Sequence, residues 1–563
     1  MKKVKNGANI IVETLINHKI DYVFTVPGAK IDKTLDIFRD YKNAPQLIVT
    51  RHEQNAAFMA QGIGRLTNKP GVVFVTSGPG VSNLATGLIT ATSEGDAILA
   101  IGGNVKRESA PKRTHQSMDN VALMKPVTKY AQEVNSAKSI SEVLVNAYRI
   151  ASLPRQGATF VSVPQDVQYE LVENEALSPK EEYITEHART DYLLELAEEI
   201  KKAKLPVLLL GMRSSDNEAV RSIRNFLKKV KIPVVETFQG AGIIPRNLEE
   251  TFLGRVGLFK NQPGDMLLDE ADLVIAVGYD PIEYDPETWN KDSFKKIYHI
   301  DHVIAEIDNH YLPIKELTGN ISRSMDFLGD NLVSLDFKLS EQANTIITYL
   351  KSKFENITKL FKVDKNKVHP LFLMQTIRNL IDDDKFLPIN DNTIVTVDVG
   401  SLYIWMARNF KSYEPRKLLF SNGMQTLGVA LPWAISASLL NKGKKVISMS
   451  GDGGFLYSSQ EIDTAIRLGL NITHLIWNDE SYNMVSFQQI SKYKRSTAIE
   501  LGKINFKMYA ESFGAKGFSV TKPSELKKVL EEAFTYNGVA IVDIKIDYSE
   551  NIILGDMLLG DFL

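Results

Sequence analysis

The chain has 563 residues, 44% of them hydrophobic and 24% charged, ordinary proportions for a folded protein and enough length for about three domains. Lysine and arginine number 66 against 68 aspartate and glutamate, a net charge of -2, so no global basic field exists to hold a nucleic acid. Cysteine is absent, which excludes disulfide frameworks, thiolate metal sites and cysteine nucleophiles together and fits a cytoplasmic protein. In the opening stretch MKKVKNGANIIVETLINHKIDYVF, Asn9, Glu13, Asn17, His18 and Lys19 interrupt any signal-peptide core. No later run reaches the roughly 18 apolar residues of a membrane span.

Residues 8 to 180 alternate helix-like and strand-like pieces, with apolar runs at Gln46 to Val49, Val72 to Thr76, Ile98 to Ile101 and Thr159 to Val163. Such alternation predicts a parallel sheet flanked by helices. The polar stretch Glu173 to Arg189 reads as a linker. A second α/β unit follows: a helix over Tyr192 to Lys202, the strand VLLLG at Val207 to Gly211, a helix over Asn217 to Val230, and strands near Val234 and at Leu273 to Val277. Lys338 to Lys367 is charged and helical in part. Beyond it, strands at Ile394 to Val397, Lys445 to Met449, Thr473 to Trp477 and Ala540 to Ile544 mark a third unit. The expectation is an α/β chain of three doubly wound parallel-sheet domains, at 1–180, 190–340 and 365–550, with a tail at 551–563. The Asp382-Asp383-Asp384-Lys385 run reads as a solvated loop.

The strongest chemical signal is KVISMSGDGGFLYSSQEIDTAIRLGLNITHLIWNDESY, Lys445 to Tyr482, read as strand, glycine turn, helix and strand. Parallel strands end on one edge, where α/β proteins bind ligands, so Asp452 and Asp479 fall at neighbouring carboxyl ends. Adjacent strands lie about 4.8 Å apart and Mg²⁺ takes oxygens at about 2.1 Å, so the two carboxylates can share one ion. Gly451, Gly453 and Gly454 let a diphosphate approach the backbone, and the following helix offers its first N–H groups. A Gly-Asp-Gly-Gly turn alone is more simply a tight βα connection. The whole unit, ending in Asn478-Asp479, resembles the motif of thiamine-diphosphate enzymes. That resemblance implies Asp452 and Asp479 as side-chain metal ligands and the backbone carbonyl of Ser481 as a third.

In the first domain RHEQNAAFMAQGIGR, Arg51 to Arg65, follows a strand and opens a helix. Taken alone, Glu53 is a helix-start carboxylate stabilised by the dipole, and His52 is structural. VTSGPGVSNLATGL, Val75 to Leu88, reads as strand, turn and a helix capped by Ser82 or Asn83. The order of VFTVPGAKID (Val23 to Asp32), RHEQNAAFMA, TSGPGVSNLATGL, KRTHQSMDN (Lys112 to Asn120) and FVSVPQDV (Phe160 to Val167) resembles the pyrimidine-binding domain of acetolactate synthases. Within that family the chain is most similar to the catabolic, flavin-independent branch. GRVGLFKNQPGD, Gly254 to Asp265, and VGYDPIEYDP, Val277 to Pro286, extend the resemblance through the central, Rossmann-like domain to the diphosphate-binding one.

The resemblance implies that Glu53 hydrogen-bonds N1′ of the cofactor's aminopyrimidine. SNGMQTLGVALPWAISA, Ser421 to Ala437, is similar to the segment that bends the cofactor, with Leu427 the wedge and the carbonyl of Gln425 and N–H of Leu427 on the pyrimidine edge. Taken alone, Leu427 is a core leucine. DVGSLYIW, Asp398 to Trp405, matches the diphosphate loop through Val399, Gly400 and Ser401, although Leu402 and Tyr403 depart from the polar residues that several family members carry. Pro79, Asn83, Tyr482 and Met484 complete the implied cofactor set. Gln116, beside His115, matches a position that meets the reacting intermediate. Gly28 and Ala29 face the substrate oxygen as donors. Val485 and Gln488 line the acceptor pocket, and Gln488 stands where anabolic relatives carry a tryptophan that favours 2-ketobutyrate.

The family's reaction then implies thiamine diphosphate and Mg²⁺ as cofactors. Pyruvate would be both donor and acceptor and 2-acetolactate the product, feeding acetoin and butanediol formation. It also implies a homodimer with active sites at the interface, assembled into a homotetramer. FAD is not expected, because MRSSDNEA follows Val207 to Gly211 where a glycine-rich fingerprint would stand. The rivals are a pyruvate oxidase or decarboxylase on the same scaffold and a non-catalytic nucleotide-binding protein. The terminal ENIILGDMLLGDFL reads as a docking segment rather than a lipid anchor, since it has no basic face. No membrane or nucleic-acid partner is expected.

Overall fold

The computed structural model describes residues 5–179, 185–258, 260, 262–357 and 367–551, with the side chains of 353–357 left aside. Contacts divide the chain into two compact units. One comprises Met1–Tyr183, Gly423–Gly443 and Ser458–Leu470; the other comprises Ile184–Asn422, Lys444–Tyr457 and Asn471–Leu563.

The first unit is built on a six-stranded sheet in the order Gln46–Val49, Tyr22–Val26, Gly71–Val75, Ile98–Asn104, Ala158–Pro164 and Tyr130–Glu133, every pair parallel. The central strands are buried along their whole length, because helices cover both faces and no solvent side remains for alternation. The helix Ala430–Leu440 is apolar around nearly all its circumference, and such a helix must be enclosed. It lies against Glu53–Thr67, where an added Cβ on Gly62 would stand 3.0 Å from Cβ of Ser436. Ser436 Oγ donates to Met59 O (2.6 Å), and the Arg65 guanidinium stacks 4.5 Å over Trp433 while pairing with Asp96 at 2.7 Å.

The second unit carries two sheets. One runs Phe252–Val256, Val234–Thr237, Pro206–Leu210, Leu273–Val277, Lys296–Asp301, Lys315–Thr318. The other runs Leu418–Phe420, Val395–Val397, Val446–Gly451, Ile472–Asn478, Ala540–Lys545, Lys516–Val520. Numbered by chain order within each sheet, the second is 3-2-1-4-5-6, while the first and third are both 2-1-3-4-6-5. All three are parallel, so the chain is α/β as expected.

The strands read from the sequence form within a residue or two of their expected ends, save Ile98–Asn104, which runs three residues beyond its expected end at Ile101, and the helices Thr190–Lys202 and Asn217–Lys229 agree as closely. Two expectations are corrected. Asp383, Asp384 and Lys385 lie in the exposed loop expected of them, but Asp382, also exposed, is the last residue of the helix Pro370–Asp382. Arg378 grips it at 2.7 Å, and Arg246 pairs with it as well. The helix after the Gly-Pro-Gly turn begins at Pro79 without a side-chain cap from Ser82 or Asn83, because Pro already supplies the helical φ at the first position. The charged stretch after residue 338 holds the helix Glu341–Ile357. Residues 358–366, the linker's centre at 180–184 and the tail from 552 lie outside the described residues.

The second and third sheets of this unit are joined by Arg255. Its buried guanidinium donates to Ala407 O (3.0 Å) and Phe410 O (2.8 Å), carbonyls at the end of the helix Ser401–Asn409 that lack partners within it. Glu236 lies 3.6 Å from the same guanidinium, its carboxyl pushed up to about 7 by burial. Arg255→Met is expected to lose roughly 3–5 kcal/mol of stability, since it strands a buried carboxyl and two carbonyls. Urea denaturation should show the loss, and Glu236→Gln in the same chain should recover part of it.

Candidate active site

In the first unit Glu53 is the first residue of its helix. His52 caps that helix, its Nδ1 accepting from Gln54 N at 3.1 Å, so His52 is structural here. Asn83 is not a cap: its Nδ2 donates to Glu53 Oε2 at 2.9 Å, leaving Oε1 facing the Gly80 turn. Glu461 was missed in the sequence. Its buried carboxylate accepts from Arg51 N (3.0 Å), Asn55 Nδ2 (3.1 Å) and Thr464 Oγ (2.6 Å), gripping the backbone before Glu53 and a side chain after it. Burial raises the Glu461 pKa. Nothing in SSQEIDTA marks it, because its partners lie some four hundred positions away.

The first sheet reverses its order between Tyr22–Val26 and Gly71–Val75, and a reversal opens a crevice at the strands' carboxyl ends. Gly28, Ala29 and Pro79 lie in the loops that bracket it. Gly28 packs on Thr76, where any Cβ would come within 2.6 Å of that side chain, and Gln165 Nε2 donates to Ala29 O at 3.1 Å. Gln116, in the left-handed region at φ 61°, lies over Gly78, and Ser77 Oγ reaches its Oε1 at 3.4 Å. His115 is exposed. Gln425 is also left-handed, at φ 49°. Thr426 bonds Thr90 at 2.8 Å, and Leu427 is only partly buried, outside the core. Held left-handed residues are costly and cluster at functional loops.

In the second unit the third sheet repeats the same reversal, between Val395–Val397 and Val446–Gly451. Val399, Gly400 and Ser401 follow one strand and Gly451 to Gly454 the other. Gly400 has φ 132°, a conformation open to glycine, and releases the chain into the helix that starts at Ser401. The helix after Gly451 is one turn, Asp452–Phe455, shorter than expected, so the longer Ser401–Asn409 helix is the better anion donor. Leu402 and Tyr403 are core residues: Tyr403 packs edge-on to Phe238 and Phe420 and bonds Asn422. Their departure from polar residues therefore serves packing between the two sheets of this unit.

Asp452 accepts from Gly453 N (3.0 Å) and Glu480 N (2.8 Å); Asp479 accepts from Ser481 Oγ (2.9 Å) and Asn483 Nδ2 (2.6 Å). Burial, then the neighbouring Asp479, pushes Asp452 up to about 6; burial raises Asp479 as well. Two partly desolvated like charges this close favour a shared cation. Among the described residues no three His, Cys, Asp or Glu side chains are placed to hold a metal ion between them, so a metal here needs backbone oxygen and ligand oxygen to complete its shell. Ser481 suits that need. It opposes Glu500 in an antiparallel bridge whose bonds are made by Glu480 O and Tyr482 N, leaving the Ser481 carbonyl outside the ladder. The Tyr482 ring covers Gly453, where a Cβ would fall 2.7 Å from its Cε1. Met484, Val485 and Gln488 stand on the helix Asn483–Tyr493, which has no fully buried residue; Val485 and Gln488 are exposed one turn apart.

Three family models match in succession: the thiamine pyrophosphate enzyme N-terminal TPP binding domain over residues 5–123, the central domain over 193–328 and the C-terminal TPP binding domain over 398–544. An acetolactate synthase of Bacillus subtilis (strain 168) is 49% identical, over 98% of this chain and 95% of its own length. The chain belongs to the acetolactate synthase family of thiamine pyrophosphate enzymes. A catabolic acetolactate synthase of Raoultella terrigena is 41% identical over 99% of this chain and 98% of its own, and a probable large subunit from Methanococcus aeolicus 30% identical over 97% and 92%. Both terminal domains of this family are thiamine pyrophosphate binding domains, and each of the two reversal crevices lies in one of them. Gly453→Ala forces the Tyr482 ring aside, and its expected effect is a fall of at least about tenfold in thiamine pyrophosphate affinity by calorimetry. Far-UV circular dichroism should not change.

Proposed function

We propose that this chain is a catabolic, flavin-independent acetolactate synthase. It decarboxylates pyruvate and joins the remaining two-carbon unit to a second pyruvate, releasing 2-acetolactate and CO₂ toward acetoin and butanediol. The reading is carried by the coexistence, in a chain matched end to end by proteins named acetolactate synthase, of an acid fixed at a helix head by Asn83 and, just past adjoining strand ends, the buried Asp452 and the half-buried Asp479.

Thiamine diphosphate, when bound, supplies the carbanion-stabilising chemistry. Glu53 holds the proton shared with N1′ of its pyrimidine. The Asn83 amide orients that carboxylate by occupying Oε2. Leu427 wedges the bend, and the carbonyl of Gln425 with the N–H of Leu427 grip the pyrimidine edge. Asp452, Asp479 and the Ser481 carbonyl hold Mg²⁺. Val399, Gly400 and Ser401 face the diphosphate across from Gly451, Gly453 and Gly454, with Pro79, Tyr482 and Met484 closing the site. Gly28, Ala29 and Gln116 face the reacting oxygen, and Val485 and Gln488 take the second pyruvate. Excluding water here keeps a proton from intercepting the two-carbon unit and releasing acetaldehyde instead.

The proposal keeps three domains at 1–180, 190–340 and 365–550, a cytoplasmic location and a homodimer assembled into a homotetramer. FAD stays outside it. At the corresponding edge of the second sheet Arg213 pairs with Asp280 (2.6 Å) and Asp301 (2.7 Å), and Glu283 accepts from Met212 N at 2.9 Å, so these polar groups are engaged within the protein. No described helix is long and apolar enough to cross a membrane.

Incubation with pyruvate, thiamine diphosphate and Mg²⁺ should yield acetolactate over acetaldehyde and acetyl phosphate; a reversed ratio rejects the synthase reading. Glu53→Gln should be inactive, and near-full turnover would remove Glu53 from the mechanism. A second reading, with acid and wedge serving the same chain's cofactor, is favoured by Thr426 on Thr90 and by the Ala430–Leu440 helix on Glu53–Thr67. Co-assembly of Glu53→Gln with Asp452→Asn chains separates the two. Sites shared between subunits restore up to about a quarter of normal activity through mixed dimers, and in-chain sites restore none. Gln488→Trp should turn acceptor preference toward 2-ketobutyrate in mixed-ketoacid assays.

A further inference from the structure

Asn551 stands at the centre of a buried amide network that no reading of the site has used. Its Oδ1 accepts from the Trp405 indole N–H at 2.8 Å. Its Nδ2 donates to Ser401 Oγ (3.1 Å) and to Asn483 Oδ1 (2.7 Å), and Ser401 Oγ donates in turn to the same Asn483 oxygen at 2.7 Å. Asn483 then presents Nδ2 to Asp479 Oδ2 at 2.6 Å.

The direction of this relay is forced. An indole N–H can only donate, so the Asn551 atom facing it is the carbonyl oxygen and the other is the NH₂ group. That NH₂ must meet an acceptor, which makes the facing atom of Asn483 its oxygen and turns the Asn483 NH₂ toward the carboxylate. Both side-chain donors to Asp479, from Ser481 and Asn483, thus converge on Oδ2. The same network ties Ser401, at the start of the diphosphate-facing helix, to the head of the helix Asn483–Tyr493.

We propose that Asn551 is a positioning residue for the metal site: it sets the orientation of Asn483 and thereby which oxygen of Asp479 is left to a divalent cation. The inference rests on the assignment of Asp452 and Asp479 as metal ligands. Groups one step behind a metal ligand commonly change affinity by about 10–100-fold when altered.

Asn551→Asp tests it with almost no change of volume. The variant keeps an acceptor for Trp405 but sets an oxygen against Asn483 Oδ1, so Asn483 must flip and point its own oxygen at Asp479. Calorimetric titration of thiamine diphosphate at a series of Mg²⁺ concentrations should show the Mg²⁺ midpoint raised by about tenfold or more. The turnover number at saturating Mg²⁺ should stay near that of the unaltered enzyme, as should the thermal midpoint of ligand-free protein. Trp405→Phe, which removes the donor that sets the polarity, should shift the Mg²⁺ midpoint the same way by less, and serves should Asn551→Asp not fold. A Mg²⁺ midpoint within about twofold of normal in the folded variant, or a shift accompanied by an equal loss of ligand-free stability, overturns the proposal. Asp479→Ala is the control: if it leaves the Mg²⁺ midpoint unchanged, the metal assignment itself fails, independently of Asn551.

Discussion

Two carboxylates at the ends of neighbouring strands repel each other, and the fold holds them there. Asp452 closes Val446–Gly451 and Asp479 follows Ile472–Asn478, strands paired residue for residue from Val446 with Ile472 to Gly451 with Trp477. Neither carboxylate can retreat, since backbone N–H groups fix the first and a serine and an asparagine the second. Burial sharpens the repulsion, and both acids are harder to ionise than in water. The cation proposed here would relieve that conflict, and the glycines beside it, the reversal of strand order and the open Ser481 carbonyl suit such a charge.

Much of this was legible in the sequence for a simple reason. Strands buried on both faces are written as continuous apolar runs, and the turns between them need glycine or proline, so the sheets of both units could be read from local text. That Asp452 and Asp479 fall side by side was legible too, because parallel topology places successive strand ends on one edge. What resisted reading was contact between distant residues. Glu461, Asn483 and Asn551 look like ordinary polar residues in their own neighbourhoods, and their roles appear only when the chain has folded. Asp382 shows the same limit from the other side: an acidic run suggests solvent, yet its first member is claimed by Arg378 and Arg246.

Glu53 also depends on company. A carboxylate at a helix start is stabilised by the dipole alone, which would leave it free to turn. Asn83 takes one oxygen, while Glu461 holds the backbone at Arg51 before it and the side chain of Asn55 after it. Position and orientation are thus supplied by different residues. In the role proposed for it, meeting one ring nitrogen, Glu53 needs both, because a small misplacement weakens a proton-sharing contact steeply.

The three sheets show how one architecture is given different tasks. The first and third share a strand order and leave their reversal crevices to glycine-rich loops, where Gly28, Gly78 and Gly400 keep side chains away from the backbone. The second has the dinucleotide-binding order, and at its corresponding edge Arg213 pairs with Asp280 and Asp301 while Glu283 accepts from Met212 N. The central sheet has a structural use as well. Arg255 on this central sheet holds the end of the Ser401–Asn409 helix, whose other end is joined through Ser401 to Asn483 and Asn551. The central sheet can thus hold one end of the helix whose other end is proposed to face the diphosphate.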